Sequence, residues 1–354
     1  MRSALGRVLP VLFAPLALTA QPSRGAACAA PMAAAVALPF RDVGRVITST
    51  ALSDTGRSAV LGVRSIDFAP DGRVLITDSR QRRVMIFDSQ FRGATPVGRE
   101  GAGPGEFRTP RQALFGPDGT VAVLDIALGR VVEFDRTGRP ARVVRMPTSD
   151  PRMIALLPGG DYLVAGNNLV GGKDRLLTRS GPDATVVWVA VPTDSILRAI
   201  KLIVDGVWLV RSGENEAIVG LAAAPTLSRV RLSDGAVTCR TAIPGSAWTQ
   251  LTPANRPRQE SLSSMRQWIE GATIVMAATR TTSGLLVITT NRGGLDAEVR
   301  EWIVFDNNLA PVARVSGVPG PAVATRGDTL VVVAEADDGR TTIQRVALTL
   351  PRSR

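Results

Sequence analysis

Short runs of apolar and β-branched residues recur along this chain, separated by turn signals. In the best-defined unit, the run Gln112–Phe115 stops at Pro117-Asp118-Gly119, where proline presets φ and glycine accepts a positive φ. Three β-branched runs follow, at Thr120–Asp125, Arg130–Asp135 and Ala141–Arg145. The pattern predicts four short antiparallel strands, which together make one blade of a β-propeller.

The same pattern occurs six times. Its turns stand at Pro70-Asp71-Gly72, Pro117-Asp118-Gly119, Pro158-Gly159-Gly160, Val204-Asp205-Gly206, Thr282-Ser283-Gly284 and Thr325-Arg326-Gly327. A valine-rich strand follows each turn, and after the fourth turn it is VWLVR. A single blade cannot bury its two faces, so copies must stack around an axis. We therefore predict an all-β fold, a six-bladed β-propeller of four-stranded antiparallel blades.

The two ends of the repeat region complement each other. A lone strand, Val43–Thr48, precedes the first blade, and the sixth blade ends after IQRVAL (343–348) without a fourth strand. We predict that the N-terminal strand completes the last blade, which closes the ring and covers an exposed edge. The propeller domain then spans residues 41–354, with an insertion at about 245–271.

The second unit carries a recognisable signature. GREGAGPGEFRTP (98–110), followed by GPDGTVAVLD (116–125) and GRVVEFDRTG (129–138), resembles the NHL-type repeat of six-bladed β-propellers. The resemblance implies that Asp78 and Asp125, with Arg83 and Arg130, are fold residues, and we expect them to form hydrogen-bonded pairs within their blades. NHL-like propellers serve as enzymes, protein-binding platforms and RNA readers, so the fold does not assign a function.

The N-terminus has the composition of an export signal. Arg2 and Arg7 are followed by an apolar stretch (8–20) and by small residues. This predicts a signal peptide over residues 1–27, with cleavage between Ala20 and Ala35, and an Ala/Pro-rich linker over 28–40. Residues 25–28 resemble a bacterial lipoprotein box, so attachment to a membrane is expected only if Cys28 is lipidated. The predicted location is extracytoplasmic: periplasmic, secreted or envelope-anchored.

Composition excludes some chemistry. The chain has no histidine and two cysteines, Cys28 and Cys239, which excludes a zinc site of nitrogen and sulfur ligands and a Ser-His-Asp triad. A disulfide requires a mature chain that keeps Cys28, and no spacing rule supports it. The formal net charge of +11 favours anionic partners. Because an exported protein rarely meets RNA, nucleic acid is not expected, and we predict a monomeric binding module rather than an enzyme.

One register carries repeated arginines. Six residues before the first turn residue stand Arg64, Arg111, Arg152 and Arg198 in blades one to four, and Met276 and Pro319 in blades five and six. This position lies near the start of each innermost strand, at the mouth of the central channel. The arginines predict a cationic arc that binds carboxylates, sulfates or phosphates, from a protein, a peptide or an acidic small molecule. The alternative is a ring of structural salt bridges.

Two further hypotheses concern the same face. The insertion holds Trp248, Arg266 and Trp268, which would form a partial lid over the mouth or a helix packed on the rim. Oxygen ligands from Asp67, Asp150, Asn167 and Asn168 would instead suit calcium as a cofactor in a hydrolase or lactonase. A third alternative is a structural cell-envelope protein with no small ligand.

Overall fold

The chain is described by a computed structural model that covers residues 26–28, 35–148, 150–170, 173–192, 206–245, 272–293, 299–336 and 338–351. The N-terminal part contains β1 (Ala26–Ala27), β2 (Val36–Pro39), the one-turn helix α1 (Phe40–Val43) and β3 (Gly44–Ala51). None of the helices in these residues has the length and apolar character needed to cross a membrane.

The first three blades follow in chain order. Blade one consists of β4 (Val63–Phe68), β5 (Val74–Asp78), β6 (Arg83–Phe87) and β7 (Thr95–Val97). A small parallel pair, β8 (Arg99–Glu100) and β9 (Glu106–Phe107), leads into the next blade. Blade two consists of β10 (Pro110–Phe115), β11 (Val121–Asp125), β12 (Arg130–Phe134) and β13 (Pro140–Arg145). Blade three consists of β14 (Asp150–Leu156), β15 (Tyr162–Val170), β16 (Lys173–Ser180) and β17 (Val186–Pro192), with a 3-10 turn at Pro158–Gly160.

The remaining blades complete the ring. Blade four consists of β18 (Val207–Ser212), β19 (Glu216–Leu221), β20 (Thr226–Arg231) and β21 (Val237–Ala242). Blade five consists of β22 (Thr273–Arg280), β23 (Leu286–Arg292), β24 (Val299–Phe305) and β25 (Pro311–Ser316). Blade six consists of β26 (Ala322–Arg326), β27 (Thr329–Glu335) and β28 (Thr341–Leu348), and β3 is its fourth strand. The predicted six-bladed propeller is thus confirmed.

The hydrophobic core lies between blades rather than within one layer. Six clusters of buried side chains each join two neighbouring blades, and the cluster between blades six and one closes the series. Every residue of the second strands β5 and β11 is buried, because both faces of these strands are covered by adjacent blades. Each blade therefore depends on its two neighbours for the burial of its apolar faces.

The N-terminal strand closes the ring as predicted. β3 pairs antiparallel with β28 from Thr342↔Ala51 to Leu348↔Gly44, so it forms the outer strand of the last blade. Two backbone hydrogen bonds extend this pairing: Leu52 N donates to Thr341 O at 2.9 Å, and Thr349 N donates to Val43 O at 2.8 Å. The edge of β28 is thereby covered by the chain itself.

Residues before β3 follow the outside of blades four and five. β1 pairs in parallel with β21, and β2 pairs in parallel with β25, so residues 36–39 of the predicted linker form a fifth strand on blade five. A disulfide joins Cys28 to Cys239 of β21, across a sequence separation of 211 residues. Phe40 then packs edge-to-face on Trp302 of blade five, with ring centroids 5.5 Å apart.

Blade four differs from the predicted register. VWLVR belongs to β18, which is the innermost strand, and the turn that follows it is formed by residues 213–215. The prediction that Val204-Asp205-Gly206 separates the first and second strands is therefore wrong. The tripeptide precedes the blade instead, because turn-forming residues occur at the entrance to a blade as well as inside it.

The aspartates and arginines of the repeat stand opposite each other in the strand ladder, as the pairs Asp78–Arg83 and Asp125–Arg130, while their side chains bond the backbone. Asp125 accepts hydrogen bonds from Arg108 N and Thr109 N, both at 3.0 Å, and Arg130 donates to the carbonyl oxygens of Gly103 and Glu106. Asp78 likewise accepts a hydrogen bond from Leu61 N at 2.9 Å. These side chains bond the backbone of the loop entering the blade, so they are fold residues that fix the connection between blades.

We expect closure by β3 to dominate the stability of the domain. A chain that begins at residue 53 should melt more than about 10 °C below a chain that begins at residue 44, because loss of β3 exposes the edge of β28. Thermal circular dichroism and size-exclusion chromatography of the two truncated chains would measure this difference. Equal melting temperatures and equal elution volumes would show that β3 is dispensable.

Candidate functional site

A cavity opens where the innermost strands of the six blades begin. Its volume is about 320 Å³, and residues from all six blades line it. They include Arg64 from blade one, Arg111 from blade two, Arg152 from blade three, Val207 from blade four, Met276 from blade five and Val323 from blade six. The cavity is therefore the mouth of the central channel, which we call the channel mouth.

β-Bulges place these side chains. In five blades the pairing of the innermost strand with the second strand skips one residue, namely Arg64, Arg111, Arg152, Met276 and Val323. A bulge leaves one residue outside the ladder and redirects its side chain. Since the bulge recurs at one level of the ring, it brings one side chain from each of five blades to the channel mouth.

The structure brings together three of the four predicted arginines. Arg64 is exposed, whereas Arg111 and Arg152 are partly buried. Arg152 Nε lies 2.8 Å from Asp150 Oδ1, which orients its guanidinium group. Arg152 thus takes part in a salt bridge and also lines the cavity that it shares with Arg64 and Arg111.

The remaining predicted site residues cannot be placed in the same way. Arg198 and the lid residues Trp248, Arg266 and Trp268 lie outside the described residues. The register predicted for Arg198 is wrong, because the inner strand of blade four begins only at Val207. In blade six the equivalent position is Val323, not Pro319, because the hairpin between β26 and β27 is shorter than in the other blades.

Polar side chains beneath the channel mouth connect the first three blades. Ser65 Oγ accepts a hydrogen bond from Ala113 N at 3.3 Å, and Gln112 Oε1 accepts one from Ile154 N at 2.8 Å. Asp67 Oδ2 accepts one from Phe115 N at 2.7 Å. Each bond runs from one innermost strand to the next, so it satisfies backbone N–H groups at strand edges that face the channel.

Asp67 has an altered acidity. Burial raises the pKa of its carboxyl group above the usual value, although the hydrogen bond from Phe115 N acts in the opposite direction. A calcium site would require ionised carboxylates converging on one point. Asp67 instead bonds the neighbouring blade and Asp150 pairs with Arg152, while the side chains of Asn167 and Asn168 lie outside the described part. In that part of the chain, no three acidic or cysteine side chains cluster closely enough to hold a metal.

The sequence pattern did not identify the apolar residues opposite the arginines, apart from Met276 at the register position of blade five. Trp208, Ala222, Ile274 and Val275 also line the channel mouth, together with Met276. Ser65 and Gln112 could have been found, because they directly follow register arginines. Trp208 could not, because the predicted register put it in a second strand.

The acidity of Asp67 generates a prediction. Because its pKa is raised in the folded state, the contribution of Asp67 to the stability of the native protein falls as the pH rises from about 4 through that pKa. Asp67→Asn keeps an acceptor for Phe115 N but removes the charge. The variant should therefore be more stable relative to wild type at pH 7 than at pH 4 in urea titrations.

Asp71 provides the matched control. Hydrogen bonding to Arg73 N lowers its pKa, so the ionised form adds stability that is present above the ordinary pKa and lost as the pH falls. Asp71→Asn should therefore lose stability relative to wild type as the pH rises, the reverse of Asp67→Asn. A pH dependence of the same sign in both variants would contradict the assignment.

Comparison with known families supports the fold. Residues 51–168 match the DUF5128 family model, which is described as a 6-bladed beta-propeller. This stretch contains blades one and two and the first half of blade three, where the repeat is most regular. No curated protein has significant similarity to the sequence.

Solved structures show the same architecture. A candidate exported protein from Bacteroides fragilis has a TM-score of 0.67 at 12% identity, covering 89% of this chain and 99% of its own. A member of the DUF4221 family from Bacteroides vulgatus has a TM-score of 0.62 at 9% identity, covering 87% of this chain and 99% of its own. A gluconolactonase from Xanthomonas campestris has a TM-score of 0.53 at 11% identity, covering 90% of this chain and 99% of its own. At these identities the likeness is one of fold, and the chain is a six-bladed β-propeller.

Proposed function

We propose that this protein is an exported binding module that holds an anionic ligand at the channel mouth. The observation that carries the proposal is the convergence of Arg64, Arg111 and Arg152, three bulged residues from three successive blades, on one cavity. Guanidinium groups present planar pairs of donors that match carboxylate, sulfonate and phosphate oxygens. A partly enclosed mouth also weakens screening by water.

The insertion and the surrounding charge support this function. The connection from β21 to β22 leads from an outer strand to an innermost strand that lines the channel mouth, and it contains the proposed lid residues Trp248, Arg266 and Trp268. The full sequence has a net charge of +11, and removal of residues 1–27 with Arg2, Arg7 and Arg24 leaves about +8, which would attract acidic ligands from a distance. The proposed partner is an acidic small molecule, a peptide or a protein, bound to a monomer.

Export is the second part of the proposal. The Cys28–Cys239 disulfide is typical of an oxidising compartment, and the N-terminus has the charged and apolar pattern of a signal peptide. A structural neighbour from Bacteroides fragilis is itself described as a candidate exported protein. Together these features support an extracytoplasmic location.

The binding proposal predicts a charge requirement. Naphthalene-2-sulfonate should bind at low ionic strength, and its neutral analogue naphthalene-2-sulfonamide should bind at least tenfold more weakly, as expected for charge-assisted hydrogen bonds. The combined substitution Arg111→Ala with Arg152→Ala should abolish sulfonate binding in isothermal titration calorimetry. It should change the free energy of unfolding by only about 1 kcal/mol.

Arg145→Ala is the matched control. Arg145 is an exposed arginine on the outer strand β13, so its loss removes charge without touching the channel mouth. Binding should survive in this variant. A large loss of stability in the double variant, with equal binding of sulfonate and sulfonamide, would show that the arginines are structural. Calcium-dependent turnover of a lactone, abolished by chelation, would instead support the alternative of a hydrolase or lactonase.

The export proposal predicts the state of the cysteines. Mass spectrometry of protein from the native host should find Cys28 and Cys239 linked to each other in the mature chain. A sulfur atom in this disulfide is not free to form the thioether of a lipoprotein, so the linked protein should lack a lipid. A diacylglyceryl group on Cys28, or a mature chain that begins after it, would contradict the prediction.

A further inference from the structure

The channel mouth has two chemically different sides. The charged and polar side chains of the lining all come from blades one to three, which contribute the three arginines, Ser65 and Gln112 beside the apolar Ile66, Leu114 and Met153. The lining from blades four to six is apolar and includes Val207, Trp208, Ala222, Ile274, Met276 and Val323. A small inorganic anion bound to the arginines would leave the apolar residues of blades four to six, which form the apolar wall, in contact with water. A ligand with an apolar body would gain free energy from the same wall in proportion to the area it covers. The cavity therefore favours anions that carry an apolar group.

Trp208 adds a specific polar group to the apolar side. Its side chain is only 4% exposed and lines the channel mouth, and its indole Nε1 is buried without a hydrogen-bond partner among the described residues. A buried N–H group without an acceptor costs free energy, which an oxygen atom of a ligand would recover. The indole nitrogen atoms of two other tryptophans have a partner: in the buried Trp302, Nε1 donates to Gly320 O at 3.0 Å, and in the partly buried Trp188, Nε1 donates to Leu232 O at 3.1 Å.

The neighbouring strand holds this indole ring in place. Trp208 on β18 lies opposite Gly220 on β19, and a Cβ atom at Gly220 would lie 2.4 Å from Cζ2 and 2.9 Å from Nε1 of the indole. Only glycine leaves room for the ring to lie over the backbone there. The position of the indole N–H is therefore fixed by the sheet before any ligand arrives, which lowers the entropic cost of binding.

The size of the cavity limits the ligand. A volume of about 320 Å³ is at the lower end of the range of small-molecule sites. It suits a compact body of one or two rings or a short branched chain, and it excludes a folded protein segment. The cavity itself thus accommodates a small molecule or a single side chain of a larger partner.

We infer that the ligand is a small amphipathic organic anion with a second oxygen acceptor on its apolar body. Its acidic group contacts Arg64, Arg111 and Arg152, its body packs against Met276, Ile274 and Val323, and its second oxygen accepts a hydrogen bond from Trp208 Nε1. This inference rests on the proposed anion-binding function and specifies the ligand class for the same site.

Four sulfonate probes test the inference by calorimetry on the full mature protein. Methanesulfonate tests the charge alone, naphthalene-2-sulfonate adds the apolar body, and its 6-hydroxy and 7-hydroxy derivatives add an oxygen acceptor. Naphthalene-2-sulfonate should bind at least tenfold more tightly than methanesulfonate, because it covers the apolar wall. The better of the two hydroxy derivatives should bind about threefold to tenfold more tightly still.

Trp208→Phe separates the hydrogen bond from the packing. It keeps an aromatic ring but removes the N–H, so it should cancel the advantage of the hydroxyl group while naphthalene-2-sulfonate binds nearly as before. Met276→Gln should weaken naphthalene-2-sulfonate by about threefold or more and leave methanesulfonate unchanged. Val187→Thr, an exposed substitution on the outer strand β17, is the matched control and should have no effect.

The outcomes distinguish this inference from the proposed function. Equal binding of methanesulfonate and naphthalene-2-sulfonate, still dependent on charge and on the arginines, would overturn the inference but leave the anion site intact. A hydroxyl advantage that persists in Trp208→Phe would overturn the role of the indole. Equal binding of the sulfonate and the neutral sulfonamide would overturn the anion site itself.

Discussion

The structure depends on one constraint: each blade is apolar on both faces, so no blade is stable without a neighbour on either side. Six interblade clusters meet this requirement only if the last blade contacts the first. The pairing of β3 with β28 stabilises the contact between blade six and blade one, because it joins residues near the start of the domain to residues near its end. The loop entering blade two is then fixed by Asp125 and Arg130, whose side chains bond its backbone.

Closure of the ring also creates the channel mouth. A bulge at the same level of five innermost strands directs one residue per blade toward the axis, whatever that residue is. The backbone therefore determines where the bulged residues lie, and the identity of each side chain determines whether that part of the channel mouth is charged or apolar. Arginine occupies the position in blades one to three, whereas methionine and valine occupy it in blades five and six. The two-sided character of the cavity follows directly from this division.

The N-terminal residues add a second layer of covalent and backbone contacts. β1 and β2 extend blades four and five by one strand each, and the disulfide links Cys28 to the outer strand of blade four. Phe40, which lies between β2 and β3 in the chain, packs on Trp302 of blade five. The chain thus passes along three successive blades before it enters blade one, and it covers outer strand edges that would otherwise be free to pair with other chains.

Local patterns in the sequence determined most strands and turns and the number of blades, because β-branched apolar runs and Pro-Asp-Gly turns depend only on neighbouring residues. They also located three arginines of the channel mouth, since Arg64, Arg111 and Arg152 stand at equal distances from matching turns. Tertiary structure alone decided the register of blade four, where Val204-Asp205-Gly206 resembles an internal turn, and hence the place of Trp208 at the cavity. It also decided the disulfide and the parallel pairing of β1 and β2. Those contacts join residues hundreds of positions apart, and only the closed ring brings them together.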